Sequence, residues 1–225
     1  MSFFITFEGV EGCGKTTQAR ELASHLKTKG YEVFLTREPG GTEIGNAIRR
    51  ILLDSKNSGM NPYTELYLYL AARVHHIQEV IIPRLERNEI VICDRFSDAT
   101  KAYQGFARGI PLNFIERLHR TNLHPLKPDL TILLDLSPEI GLKRARERNS
   151  SKKVFKEGRF EEEALAFHRK IRKGYLDIAK KERKRIKIVD ASGDLEEVRQ
   201  EVFRKVDEFL KRSGKKKSTV RVRAS

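Results

Sequence analysis

The sequence predicts an α/β fold, a parallel sheet of five strands doubly wound by helices, and three observations carry that prediction. Short β-rich apolar runs alternate with longer stretches of helical period along nearly the whole chain. Runs such as Ile90-Val91-Ile92-Cys93 and Leu130 to Leu134 are apolar at consecutive positions, as strands covered on both faces are. Charged residues follow each run directly, and an open parallel sheet places its ligands beyond the carboxyl ends of its strands.

In chain order, the run Phe3-Phe4-Ile5-Thr6-Phe7 predicts a strand over 3–7 and the period after it a helix over 15–29, closed by Gly30 as a C-terminal glycine. A strand over 32–36 precedes an amphipathic helix over 43–53 and a long helical stretch over 63–87. The third strand spans 89–93, and a helix over 111–123 leads to the fourth strand, 129–135. Ser137-Pro138 opens a helix over 137–148 with a cap and a proline at the first helical position. A helix over 160–182, a strand over 186–190 and a helix over 194–211 complete the domain.

The chain has 225 residues, 39% of them hydrophobic, enough for one core, and no internal spacer rich in Gly, Pro or Ser divides it. One domain is expected over 1–211, followed by a basic tail, 212–225, of disordered composition. The formal charge of +14 points in isolation to nucleic acid or acidic ligands, but seven Lys and Arg with no acid lie from Lys211 onward. Charged residues make up 34% of the chain, as in heat-adapted proteins. Cys13 and Cys93 suggest neither a disulfide framework nor a zinc site, and no apolar stretch approaches the roughly 20 residues of a membrane span. A cytoplasmic protein with no membrane partner is expected.

Gly9-Val10-Glu11-Gly12-Cys13-Gly14-Lys15-Thr16-Thr17 fits G-x-x-x-x-G-K-[ST] between a strand and a helix, the context in which this motif cradles phosphates. Lys15 can bridge β- and γ-phosphates and the Thr16 hydroxyl can ligate Mg²⁺, with Asp94 as a second metal-facing group at the end of the third strand. Arg95, Arg37 and Arg49 can hold a second phosphate through bidentate guanidinium contacts, a cluster that a hydrolysing NTPase does not need. Of the adjacent Arg49 and Arg50, one faces the site and the other solvent. Two phosphate-binding halves are the layout of a nucleotide kinase. His75-His76 lacks a second His or Cys cluster, so a helix-surface role is expected for the pair. Tyr63, Tyr67 and Tyr69 form a stripe that by itself predicts core packing.

The segments EGVEGCGKTTQ, TREPGGTEIG with IRRILL, YLAARVHH, DRFSDATKAYQGFARG, PDLTILLDLSPEIGLKRARER and IVDAS together resemble bacterial thymidylate kinase, in order from about Phe3 to Leu210. The resemblance implies a P-loop nucleoside-monophosphate-kinase fold with a lid, Mg²⁺ as cofactor, ATP and thymidine 5′-monophosphate (dTMP) as substrates, and a homodimer. It implies that the loop residues 9–17 and Arg144 bind ATP. It implies that Tyr69, where the family has Phe, stacks on thymine and that Arg73 bonds a base carbonyl, an i, i+4 pair on one helix face. Thr100 and Gln104 match positions on the thymine edge, Tyr103 one that closes the sugar pocket near C2′, and Glu38 one that binds dTMP. Glu11 matches an acid that takes the 3′-hydroxyl, and it can pair with Arg95.

The polar stretch Asn149 to Gly158, after the basic helix ending at Arg148, predicts a lid over about 148–159. The resemblance assigns Arg148 to the transferred phosphoryl beside Lys15 and Arg95, and Arg144 to the adenine. Gly158 replaces an acid common in the family before the residue matching Arg159, so the assignment rests on Arg148. Some family members carry an arginine at the place of Gly12 and lack the lid arginine; here the loop is neutral there. A kinase for another nucleoside monophosphate would keep the loop and lid without the set Tyr69, Arg73, Thr100 and Gln104. A nucleotide switch or nucleic-acid-binding protein would rest on the charge alone.

Overall fold

The computed structural model describes residues 1–121, 126–150 and 159–221, with side chains described to Glu147 and Ser213 in the helices that end the last two spans. Five parallel strands form one sheet in the order β2-β3-β1-β4-β5: β1 Phe3–Glu8, β2 Val33–Arg37, β3 Ile90–Asp94, β4 Leu130–Asp135 and β5 Ile186–Asp190. Each lies within a residue or so of its expected place. The sheet is parallel because every crossover returns through a helix: α1 Lys15–Thr28, α2 Glu43–Leu53, α3 Pro62–His76, α4 Ile82–Glu86, α5 Ser97–Thr100, α6 Leu112–Thr121, α7 Pro138–Ser150, α8 Leu165–Lys181 and α9 Leu195–Arg221. The α9 backbone passes Lys211, where the composition marks the start of the tail.

Alternation along β1 builds two cores. Phe3, Ile5 and Phe7 pack with Leu22 and Leu26 of α1 and Val202 and Val206 of α9, while Phe4 on the other face packs with Ile77, Ile81 and Phe96. Phe4 and Phe96 meet edge to face with centroids 4.8 Å apart. Among the described residues no helix is long and apolar enough to cross a membrane.

The helical stretch expected over 63–87 is interrupted. Its turn Ile77–Ile81 widens to i→i+5 bonding just before Pro83, and a wide turn absorbs the break that a proline without an N–H imposes. A second wide segment, Lys101–Ala107, continues α5 where no helix was expected. Its turns do not follow the 3.6 period, and what holds it is tertiary: Glu8 Oε1 accepts from Phe96 N at 2.8 Å and Ala99 N at 3.3 Å, and Phe106 packs on Gly174 of α8 so closely that a Cβ there would meet its ring at 2.7 Å. The helix expected from 160 begins at Leu165, because Arg159 and Phe160 are drawn into the interior instead. Tyr63 and Tyr67 are exposed and not core; His76 is fully buried and not surface, with its ring between Thr36 Oγ1 at 2.7 Å and Glu38 Oε1 at 3.1 Å.

Arg185, at the foot of β5, donates to both oxygens of buried Asp98 at 2.7 and 3.1 Å and to Thr131 Oγ1 at 2.6 Å, tying the sheet to α5. Arg185→Met should cost about 3–5 kcal/mol in urea denaturation, because it strands the Asp98 charge. The double variant Asp98→Asn/Arg185→Met should cost less than the single one.

Candidate active site

The phosphate loop is held open by three glycines at positive φ, Gly9 (143°), Gly12 (69°) and Gly14 (93°). At Gly12 the loop passes so close to α7 that a Cβ would meet Gly141 O at 2.0 Å, so the neutral residue there is also a packing requirement. Val10 and Cys13 are buried beneath the loop, and Thr16 and Thr17 start α1 exposed at its mouth. Lys15 Nζ folds over the loop onto Gly9 O at 3.0 Å and Val10 O at 2.7 Å. Thr16 Oγ1 donates to Asp94 Oδ2 at 2.5 Å, so the two expected metal-facing oxygens do converge. A hydroxyl and a carboxylate at a phosphate loop are the hard oxygen donors that suit Mg²⁺, which keeps its remaining coordination for water and phosphate.

Beside the loop, Glu11 is the hub of the expected sugar side. Its Oε1 accepts from Tyr103 Oη at 2.5 Å and Arg95 Nη2 at 3.2 Å, and its Oε2 lies 3.2 Å from His168 Nδ1. Burial pushes this carboxyl up, but His168 and the charges of Arg95 and Lys15 outweigh burial and hold it well below the usual carboxylate range. Arg95 also donates to Gly9 O at 3.1 Å and lies over the Tyr103 ring at 5.1 Å. Its own backbone is left-handed, with φ of 72°, a costly conformation for a non-glycine residue that aims the guanidinium back across β1.

The expected base side is built around Arg73. Its Nε donates to Glu38 Oε2 at 2.7 Å, Nη1 to Thr100 Oγ1 at 2.9 Å and to His119 Nε2 at 3.2 Å, and Nη2 to Phe96 O at 3.0 Å. A guanidinium has five N–H groups, so one Nη2 hydrogen is left without a partner among the described residues. Thr100 spends an acceptor on Arg73 and keeps its O–H to donate. Gln104 Nε2 donates to Glu65 Oε1 at 2.8 Å, and its carbonyl oxygen takes no hydrogen bond among the described residues. Tyr69 is half-buried one helical turn before Arg73 and packs against the main core, and burial raises its phenol above the usual range.

The remaining expected residues are less tightly gathered. Glu38 is buried and engaged by Arg73 and His76, which hold its carboxyl below the usual range against burial, so it orients Arg73. Arg49 Nη1 donates to Pro39 O at 3.0 Å while Arg50 is exposed, as their adjacency on one helix requires. Arg37 is exposed at the end of β2. Arg144 Nη1 approaches Ala191 O at 3.4 Å, at the rim beyond β5. The Arg148 side chain and most of the expected lid lie outside the described residues.

A family model for thymidylate kinase matches residues 7–202. The chain belongs to that family. It is 52% identical to the thymidylate kinase of Syntrophotalea carbinolica over 198 residues, 88% of this chain and 92% of that one. It is 54% identical to that of Geotalea daltonii over 200 residues, 88% and 94% of the two chains. A solved thymidylate kinase structure from Ehrlichia chaffeensis superposes with a TM-score of 0.72 at 34% identity, covering 92% of this chain and 98% of the other. The fold is thus the P-loop nucleoside-monophosphate-kinase fold that thymidylate kinases share.

Sequence reasoning missed Glu65, His119, His168 and Tyr175. Tyr175 Oη donates to Glu8 Oε2 at 2.8 Å, and His168 Nε2 meets Phe160 O at 2.9 Å, so α8 reaches across to the loop. Nothing local in the sequence marks them, since each acquires its partner from a distant element. Arg159, given no role above, is buried and donates to Leu52 O at 2.8 Å, Asn57 O at 3.1 Å and Glu65.

Burial and the positive charges of Arg73 and Lys101 push the His119 ring down to about 3. A folded-state value below that of the unfolded chain stabilises above the unfolded value and is lost as pH falls. His119→Gln, which keeps an acceptor for Arg73, should therefore flatten the decline in stability between pH 6.5 and 5 by about 2 kcal/mol in chemical denaturation.

Proposed function

We propose that this chain transfers the γ-phosphoryl of ATP to dTMP, giving thymidine diphosphate and ADP. The observation that carries the reading is the set of hydrogen-bonding groups left without a partner among the described residues at the base side: an Arg73 N–H, the Gln104 carbonyl oxygen and the Thr100 hydroxyl hydrogen. Thymine presents carbonyl, N–H and carbonyl along its edge, which two donors and one acceptor can complement. Cytosine would set its amino group against Arg73 and a bare nitrogen against the Gln104 oxygen, and each such mismatch costs about 1–3 kcal/mol. The methyl that separates thymine from uracil is worth about 1–3 kcal/mol.

The roles follow from the chemistry of phosphoryl transfer, which needs charge neutralised and oxygens aligned. Loop amides from Gly9 to Thr17 hold the ATP phosphates, and Arg144 lies toward the adenine. Arg95, Arg37 and Arg49 fix the acceptor phosphate, which is anionic near neutral pH and needs no strong general base. Glu11, braced by Arg95, His168 and Tyr103, takes the 3′-hydroxyl, and Tyr103 crowds C2′. Mg²⁺, when bound by Thr16 and Asp94, would offset the phosphate charge. Lys15 and Arg148 stabilise the moving charge, with Arg148 brought by a lid over about 148–159. A cytoplasmic enzyme with no nucleic-acid partner fits small substrates that the site would enclose.

A homodimer through α2 and α3 is part of the same reading. Ile44 and Ile51 on α2 and Tyr63 and Tyr67 on α3 are between 46% and 55% exposed, and the i, i+7 and i, i+4 spacings put each pair on one face of its helix. Ile51→Asp should shift the sedimenting species from dimer to monomer.

A coupled ADP-release assay across the monophosphates tests the activity. dTMP should be preferred over dUMP by roughly tenfold and over dCMP by more; preference for uridine or adenosine monophosphate overturns the reading. Arg95→Ala and Arg148→Ala should each lower turnover by on the order of a hundredfold or more. If Arg148→Ala leaves turnover intact, the lid arginine is not catalytic.

A further inference from the structure

The base edge depends on which end of the Gln104 amide faces outward, and a side chain on α3 that lines up behind it fixes that end. Glu65 is fully buried, and its Oε1 accepts from Gln104 Nε2 at 2.8 Å. Arg108 donates to both Glu65 oxygens at 3.4 and 3.3 Å, and Arg159 donates to Oε2. With guanidinium groups supplying the hydrogens, Glu65 offers acceptors only, so the Gln104 NH₂ must face it. The reversed amide would set its carbonyl oxygen against a carboxylate oxygen, acceptor against acceptor, and lose the bond from Gln104 Nε2. The Gln104 oxygen takes no hydrogen bond from any described residue.

We propose that Glu65 is a positioning residue that determines base specificity: it holds the Gln104 carbonyl toward the base and so selects a ring N–H between two carbonyls over a bare ring nitrogen. This rests on the reading that Gln104 meets the base. Arg159, at the end of the expected lid, and Arg108 in turn hold Glu65, so specificity is anchored from three elements.

The test compares kcat/KM for dTMP with that for 2′-deoxy-5-methylisocytidine 5′-monophosphate, which keeps the methyl and the 4-carbonyl but has a bare N3. In Glu65→Gln the new carboxamide accepts from Arg159 and donates to the Gln104 oxygen, turning the Gln104 NH₂ toward the base. The preference for dTMP should fall about tenfold or more, with a raised KM for dTMP. Because that variant removes the counter-charge of a buried guanidinium, Glu65→Gln/Arg159→Met balances the charge while Arg108, which also donates at the Oε2 position, still orients the new carboxamide, and should show the same fall.

Gln104→Leu separates the two levels. Unchanged dTMP kinetics in it would sink the base reading itself. Impaired dTMP kinetics there, with the preference ratio at its wild-type value in the Glu65 variants, would overturn the inference alone. In the wild-type protein, selective ¹⁵N labelling should find the Gln104 NH₂ protected from solvent exchange both free and with dTMP bound; exchange at the rate of an exposed glutamine also overturns it.

Discussion

Three carboxylates at the carboxyl edge of the sheet, Glu11, Glu38 and Glu65, are withdrawn from water, and satisfying them organises what can touch a nucleotide. A buried charge persists only when hydrogen-bonded and paired. Glu11 gathers Arg95, Tyr103 and His168; Glu38 gathers Arg73 and His76; Glu65 gathers Gln104, Arg108 and Arg159. In each case a group that can face substrate is gripped from behind, so its remaining valence points outward. The side chains reach ligand already oriented, which is where binding energy is otherwise lost.

The parallel sheet makes this possible. Its three central strands, β1, β3 and β4, are apolar apart from Thr6 and Thr131 and turn charged only at their ends, so ionisable groups collect at one rim. Glu8 shows the limit of the rule. It is the last residue of β1 and almost fully buried, and burial together with the charge of Asp98 pushes its carboxyl up to about 8, against the opposing pull of Arg95 and the bonds from Tyr175 and Phe96. It serves as the anchor for the start of α5 and hence for the wide helical segment that carries Tyr103 and Gln104.

Much of the fold was legible because parallel strands and amphipathic helices leave local patterns. The five strands and the phosphate loop followed from runs and motif spacing, which also marked Thr16 and Asp94, each by itself, as metal-facing groups. The wide segment Lys101–Ala107 did not, since i→i+5 turns have no 3.6 period and its stability comes from Glu8 and α8. His76 looked like surface and Tyr63 and Tyr67 looked like core because burial of a helix face depends on what packs against it. Arg159 stood at the end of the expected lid with its role open, and it is a buried anchor.

By itself the sequence determined the layer order, the location of the phosphate loop and the set of charged residues at the rim, because each is written in neighbours a few positions apart. Only the tertiary structure decided which hydrogen of Arg73 and which end of Gln104 are free, and that Glu65, His119 and His168 stand behind them. Those choices come from contacts between residues tens to more than a hundred and fifty positions apart. Hydrogen-bond valence is settled only when such partners meet.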